Sequence, residues 1–208
     1  MPEIESPETD RGAAERLTFF SDAVVAIAIT LLAIELPVPE GETSAEFLAS
    51  VQASGFEYLA FAISFVVIAN HWAAHHRVFR WVRRADSPVI GLNLLWLFLV
   101  VINPFLTRVL TEGDVDLVRF GAYALAQGVQ MITFAVMVAV TARRGWFDAA
   151  APRSLTHRGW VRSLINASGF LLSLPVFLLV GTWAFAVWAV VPVAGGMVRR
   201  RLDRRAGG

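Results

Sequence analysis

The chain has 208 residues and a formal net charge of +1, and 56% of its residues are hydrophobic whereas only 17% are charged. With a mean hydropathy of +0.59, this composition excludes an ordinary soluble domain and predicts an integral membrane protein. All 18 basic residues are arginines, and the lack of cysteine excludes disulfides and thiolate metal sites. We expect the bilayer to be a partner and nucleic acid not to be one.

The first 15 residues are acidic, and they lack the basic region and short apolar core of a cleavable signal peptide. We therefore expect residues 1–15 to form a disordered tail rather than a signal sequence.

A membrane-spanning helix needs about 20 mostly apolar residues, and six segments of the chain fit this length. They are residues 17–38, 56–80, 89–110, 117–142, 160–180 and 182–198. Proline, glycine or charged residues separate them, and only Gly181 divides the last two. Asn103-Pro104 predicts a bend in the third helix. The sequence thus predicts an all-α membrane protein, with one six-helix domain over residues 16–201 and a short tail at 202–208.

The arginines predict the orientation of the helices, because cytoplasmic loops are enriched in basic residues. Arginines cluster between helices two and three, between helices four and five, and after helix six. The opposite loops are acidic and contain Glu40, Glu42, Glu112 and Asp114. We therefore expect both termini to be cytoplasmic.

Helix one carries two neighbouring stripes at helical spacing. The bulky stripe consists of Phe20, Val24, Ile27, Leu31 and Ile34. The stripe of small residues consists of Ala23, Ala26, Thr30 and Ala33. Small residues allow close helix packing, whereas the bulky stripe fits either of two surroundings. It could face lipid, as most apolar membrane faces do, or it could line a hydrophobic constriction if several copies surrounded one axis.

A polar cluster marks one end of helix one. Asp22 lies about one turn inside the membrane interface, where an ionised carboxylate needs a cation or hydrogen-bond donors. Helix two offers such donors in the segment 70–77, which reads NHWAAHHR. We expect a hydrogen-bond network between this segment and Ser21 and Asp22. A zinc site on His71 and His75 is the alternative, but no third ligand has a matching spacing.

These residues resemble the transmembrane protein 175 family of prokaryotic and lysosomal potassium channels. The segment 16–22, RLTFFSD, fits the family signature R-x-x-x-F-S-D on the first helix. The following segment AVVAIAITLLAIELPVP, the cluster of Trp72, His75 and His76, and the six-helix layout are also similar.

The resemblance implies a homotetramer whose first helices line a central pore for monovalent cations, with potassium as the permeant ion and no cofactor. It places the pore constriction at Ile27, Leu31 and Ile34, and it puts Thr30 close to the conduction path. The signature residues would instead form a structural network with helix two; they are Arg16, Phe20, Ser21, Asp22, Trp72, His75 and His76. A prokaryotic member would reside in the cell membrane.

The chain contains no T-V-G-Y-G segment, so a carbonyl cage of that type cannot dehydrate the ions, and we expect modest selectivity. Glu35, at the outer end of helix one, could concentrate cations at the external mouth. An enzyme is disfavoured because no nucleophile and base are paired. A secondary transporter or a non-conducting membrane scaffold are the alternatives, although residues 89–198 contain no second copy of the helix-one pattern.

Overall fold

The computed structural model describes residues 7–188 and residue 190, and every regular element in this part of the chain is helical. The helices are α1 (Pro7–Ile34), α2 (Ser44–Ala53), α3 (Gly55–Phe79), α4 (Ser87–Val101), α5 (Asn103–Thr111), α6 (Leu117–Arg143), α7 (Arg153–Arg158) and α8 (Val161–Val180). A 3-10 turn follows at Gly181–Ala184. The all-α membrane architecture predicted from the sequence is confirmed at this level.

Five stretches are long and apolar enough to cross a membrane. They are Asp10–Ile34, Gly55–Phe79, Ser87–Thr111, Leu117–Arg143 and Arg153–Trp188. The last stretch turns back on itself, because the indole Nε1 of Trp188 donates to Ser173 Oγ at 2.8 Å. A straight helix would separate these residues by roughly 22 Å. Gly181, with φ of +59°, lies at the reversal. Most of the predicted sixth helix, residues 182–198, lies outside the described residues.

The first helix is longer than predicted. Residues 1–15 were expected to be disordered, but α1 begins at Pro7. Arg11 and Glu15 form an ion pair one turn apart, and Asp10 contacts Arg84, in the loop between α3 and α4, at 3.5 Å. Ala14 is buried in the core. Tertiary contacts of this kind stabilise helices whose composition alone does not predict them.

The short helix α2 was also not predicted. Thr43 caps it, since its hydroxyl accepts from the backbone N–H of Glu46 while the Glu46 carboxylate accepts from the N–H of Thr43. The hydrogen bonds from the backbone N–H groups of Thr43 and Glu42 lower the pKa of Glu46. Helix α2 is too short for the apolar spacing that identifies longer helices to be recognised in its sequence.

The third span consists of two helices. Helix α4 ends at Val101 and α5 begins at Asn103, which places the break at the Asn103-Pro104 bend predicted from the sequence. Proline has no N–H and clashes with the preceding turn, so it interrupts the helical ladder.

Helix α6 forms the centre of the bundle and packs against α4, α5 and α8. Its side toward α8 carries Gly121 and Gly128, two turns apart. A Cβ atom at Gly128 would lie 2.8 Å from Leu171 Cδ2 of α8, whereas one at Gly121 would lie 3.7 Å from Leu174. Gly128 therefore sets how closely the two helices approach.

Gly128→Val tests this packing. We expect the substitution to destabilise the bundle by about 1–3 kcal/mol, because the branched side chain overpacks the contact with Leu171. Thermal unfolding in detergent measures the change, and Gly91→Val is the control because a Cβ there meets no atom within 4 Å. Equal melting temperatures for the two variants would contradict the close approach of α6 and α8.

Candidate functional site

Helix α1 packs into its subunit through a face that sequence reasoning did not identify. Ser21, Val25, Ala28 and Leu32 are all buried and recur at helical spacing. Neither predicted stripe is this face, because the stripe of small residues is exposed and most of the bulky stripe is exposed as well. The bulky and small apolar side chains on the two sides of the helix differ too little in hydrophobicity to identify the buried face.

The opposite face of α1 is apolar and uncovered in the single chain. Ile27, Leu31 and Ile34 expose 58%, 42% and 75% of their surface. Thr30 is exposed beside them, and its hydroxyl donates to the carbonyl of Ile27 at 2.8 Å. Val24 is the exception in the bulky stripe, because it packs against the core. The three residues predicted to form the constriction and the predicted threonine therefore share one free surface of the helix.

A buried chain of hydrogen bonds fixes α1 against α3 and α4. Asn93 Nδ2 donates to Ser21 Oγ at 2.9 Å, and Ser21 in turn donates to the carbonyl of Leu17. Asn93 Oδ1 lies 2.9 Å from His75 Nε2 and accepts a hydrogen bond from it when that nitrogen carries the proton. One asparagine of α4 thus joins the predicted serine of α1 to the predicted histidine of α3.

Aromatic rings hold His75 in place. Its imidazole stacks on Phe79 and on Trp96, with ring centroids 3.9 Å and 4.6 Å apart. His75 is 1% exposed. The ring therefore has little freedom to rotate away from Asn93, and the hydrogen-bond chain is rigid at its end.

Asp22 is held by two other side chains of α3. Trp72 Nε1 donates to Asp22 Oδ1 at 2.9 Å, and His76 Nδ1 lies 3.7 Å from Asp22 Oδ2. The rings of Trp72 and His76 stack on each other with centroids 5.5 Å apart. The structure thus brings Ser21, Asp22 and the aromatic cluster of α3 together at one end of α1.

Two signature residues lie outside this network. Arg16 and Phe20 are exposed, and neither forms a hydrogen bond or ion pair within the described part of the chain. The prediction that they form a network with helix two differs from the structure of the single subunit, where both side chains are exposed and unpaired within the described residues. Their positions on the uncovered face of α1 make them available to a neighbouring molecule.

Glu35 is not a free carboxylate at the end of α1. Arg108 of α5 donates from Nη1 to Glu35 Oε2 at 2.9 Å. Both side chains are more than one third exposed, so the pair contributes little to stability. It nevertheless offsets the negative charge that was expected to attract cations, a consequence of a contact 73 residues away in sequence.

The two histidines considered for zinc point to different partners. His75 Nε2 pairs with Asn93, and His71 Nε2 lies 3.1 Å from Gln127 Oε1 of α6. Within the described residues, no three potential ligands come close enough to hold a metal ion.

Asn93 and Gln127 are the partners that sequence reasoning left unassigned. Both lie in apolar segments, where a polar side chain commonly joins neighbouring helices, but nothing in their spacing indicated which side chains they would meet. A third polar contact joins Ser64 to the hydroxyls of Tyr123 and Thr107, at 3.0 Å and 2.8 Å. The one sign of these contacts in the sequence was the presence of isolated polar residues within apolar segments.

Asn93→Leu tests the buried chain of hydrogen bonds that joins α1, α3 and α4. The variant removes both bonds and leaves Ser21 and His75 without their partner, which we expect to cost about 1–3 kcal/mol. Thermal unfolding measures the effect, with Asn70→Leu as control because Asn70 is exposed on α3. A loss of stability no larger than that of the control would show that these hydrogen bonds do not link the helices structurally.

Comparison with known proteins gives matches to one family. Residues 16–104 match the family model described as endosomal/lysosomal potassium channel TMEM175. A protein from Streptomyces collinus named as a potassium channel is 40% identical over 97 residues, which are 47% of this chain and 47% of that protein. The bovine protein named as the endosomal/lysosomal proton channel TMEM175 is 37% identical over 94 residues, covering 41% of this chain and 20% of the bovine chain.

A solved structure matches over a greater length. It is described as a TMEM175 homologue, a lysosomal potassium-selective channel, from Chamaesiphon minutus, with a TM-score of 0.74 and 27% identity. The match covers 89% of this chain and 97% of that one. By sequence, the match spans about half the length of the Streptomyces relative. The family match begins at Arg16, the first residue of the signature, and includes α1, α3 and α4. Residues 16–104 are thus similar to the TMEM175 family, and the solved structure has a similar fold over most of the chain.

Proposed function

We propose that this protein is a potassium-permeable cation channel in which four copies surround a central pore lined by α1. The observation that carries the proposal is the uncovered apolar face of α1, with Ile27, Leu31 and Ile34 exposed on a helix whose other side is fixed inside the subunit. Exposure alone fits contact with lipid as well. The channel interpretation gains support from the relatives named as potassium channels and from the family match over α1 itself.

The three exposed aliphatic residues would form the constriction of this pore. Rings of bulky apolar side chains gate by excluding water, since a dehydrated cation among them costs many kcal/mol. Selectivity would then depend on the cost of dehydration and on the few polar atoms along the path. Thr30 is the best placed of these, because its hydroxyl proton is engaged by the carbonyl of Ile27 and its oxygen lone pairs remain available to a cation.

The polar cluster at the other end of the exposed face has a structural role in the proposal. Asp22, Trp72 and His76 hold the end of α1, together with Ser21 and His75. Arg16 and Phe20 are exposed on α1 and would contact the neighbouring subunit. The distribution of arginines supports a cytoplasmic location for this end, in the cell membrane of a prokaryote.

Protons are a second candidate permeant ion, since the bovine relative is named as a proton channel. A secondary transporter is the main alternative mechanism. Transporters couple fluxes and give no unitary current steps, so electrophysiology separates the classes.

The reversal potential under a gradient of potassium on one side and sodium on the other tests the proposal. We expect purified protein in planar bilayers to give unitary steps that reverse toward the potassium equilibrium potential. A pH gradient imposed afterwards shows whether protons also permeate. Absence of current from inserted tetramers, or transport only with a coupled ion, would overturn the channel proposal.

The constriction is tested by Ile27→Asn and Leu31→Asn. We expect either variant to raise the single-channel conductance several-fold and to lower the preference for potassium, because an amide hydrates the narrow segment. Val136→Asn, an exposed position on α6, controls for an additional polar residue in the membrane. If all three variants conduct like the unmodified chain, the uncovered face of α1 does not line the pore.

A further inference from the structure

The break between α4 and α5 lies in the membrane-spanning part of the bundle. In a continuous helix the N–H of residue 104 would donate to the carbonyl of Val100, but Pro104 has no N–H. Val100 and Asn103 are both fully buried. The backbone N–H of Ile102 instead donates to the carbonyls of Phe98 and Val100, and the regular helical ladder is interrupted at this level of the bundle.

Three buried amide side chains have unpartnered atoms. Asn103 and Gln130 are 0% exposed, and in each of them neither the amide nitrogen nor the oxygen has a hydrogen-bond partner among the described residues. Gln127 is also 0% exposed; it uses Oε1 for His71, but its Nε2 has no such partner. Each unpaired amide in an apolar medium costs roughly 1–3 kcal/mol by mutational measures. Native proteins leave few such atoms without a partner.

Helix geometry places two of these amides at the same level. Thr107 of α5 and Tyr123 of α6 both contact Ser64, so they mark one level of the bundle. Asn103 lies one turn from Thr107, and Gln127 lies one turn from Tyr123, roughly 6 Å in each case. The two helices run in opposite directions, since α5 and α6 are consecutive and joined by a short loop. Both displacements therefore point toward the same end of the bundle.

Gln130 continues this cluster. It lies three residues beyond Gln127 on α6, about 4.5 Å further along the axis and on a neighbouring side of the helix. Asn103, Gln127 and Gln130 thus lie at levels of the bundle between the two polar levels already described, the Ser64 level and the level of His75 and Asn93.

The chemistry of the free atoms selects the ligand. The free donors are the amide nitrogens of Asn103, Gln127 and Gln130, and the free acceptors are the amide oxygens of Asn103 and Gln130. A bare cation would meet three repelling NH₂ groups, whereas an anion would meet two oxygens and no positive charge. Water donates and accepts, and buried waters typically make about three hydrogen bonds. We propose that each subunit binds ordered water between α5 and α6, near the helix break, through the side-chain amides of Asn103, Gln127 and Gln130.

This site is separate from the exposed face of α1 and does not depend on conduction. It has a mechanical consequence, because water can keep the side-chain amides near the break paired when α5 moves relative to α4. Helix α5 carries Arg108, which pairs with Glu35 at the end of α1. Movement at the hydrated break would therefore reach the proposed pore helix.

Water-edited solid-state NMR of the full chain in lipid bilayers tests the proposal directly. Protein labelled with ¹⁵N on asparagine and glutamine side chains is examined for magnetisation transfer from water. We expect early transfer to the amides of Asn103, Gln127 and Gln130. Asn93 is the internal control, since it is equally buried but bonds to Ser21 and His75. Transfer to the three amides no faster than to Asn93 would overturn the site.

A substitution gives a second readout whose sign differs between a hydrated and a dry amide. Gln130→Met keeps the length of the side chain and removes both polar atoms. If water pairs the amide, we expect the melting temperature to fall by several degrees; if the amide is dry and unpaired, removing it raises the melting temperature. An increase in stability would therefore contradict bound water at Gln130.

Discussion

The hydrogen bonds that Asn93 forms with Ser21 and with His75 are the constraint on which the rest of the structure depends. They join the first, second and third spans at one buried point, where an asparagine in a low-dielectric interior has few alternative partners. Because His75 is stacked between Phe79 and Trp96, the hydrogen-bonded side chains of Ser21, Asn93 and His75 cannot rotate together. The rotational setting of α1 about its own axis is thereby fixed.

That rotational setting decides which side of α1 remains free. With Ser21, Val25 and Leu32 turned inward, Ile27 and Ile34 are turned outward by helical periodicity alone. Ion pairs at the two ends of the helix, Asp10 with Arg84 and Glu35 with Arg108, are consistent with the same setting. Their exposure makes them weak contributors to stability. The buried amide of Asn93 therefore contributes most to fixing the orientation of α1.

The sequence predicted the long apolar helices, the bend at Asn103-Pro104 and the similarity to the TMEM175 family, because length, proline chemistry and a seven-residue signature are local properties. It did not predict the helical extension of α1 over residues 7–15, which depends on the burial of Ala14 and the contact of Asp10 with a distant arginine. The buried face of α1 was missed for a related reason. Ala28 and Leu32 resemble the exposed residues beside them, and only contacts with α3 and α4 distinguish the two faces.

The partners of the polar residues were equally beyond local reasoning. Pairing Glu35 with Arg108, or Asn93 with Ser21, requires contacts across more than 70 residues. It could be predicted that these residues form polar contacts, since an intramembrane polar side chain must find a donor or acceptor. The choice of partner follows from the packing of the whole bundle.

Cysteine accessibility along α1 tests most directly whether the free face of this helix surrounds an ion pathway. The chain has no cysteine, so single substitutions report without background. A membrane-impermeant thiol reagent should reduce the current of Ile27→Cys, Leu31→Cys and Ile34→Cys channels in bilayers and leave Ala28→Cys and the cysteine-free chain unaffected. Equal insensitivity at all four positions, in channels that conduct, would contradict a pore lined by α1.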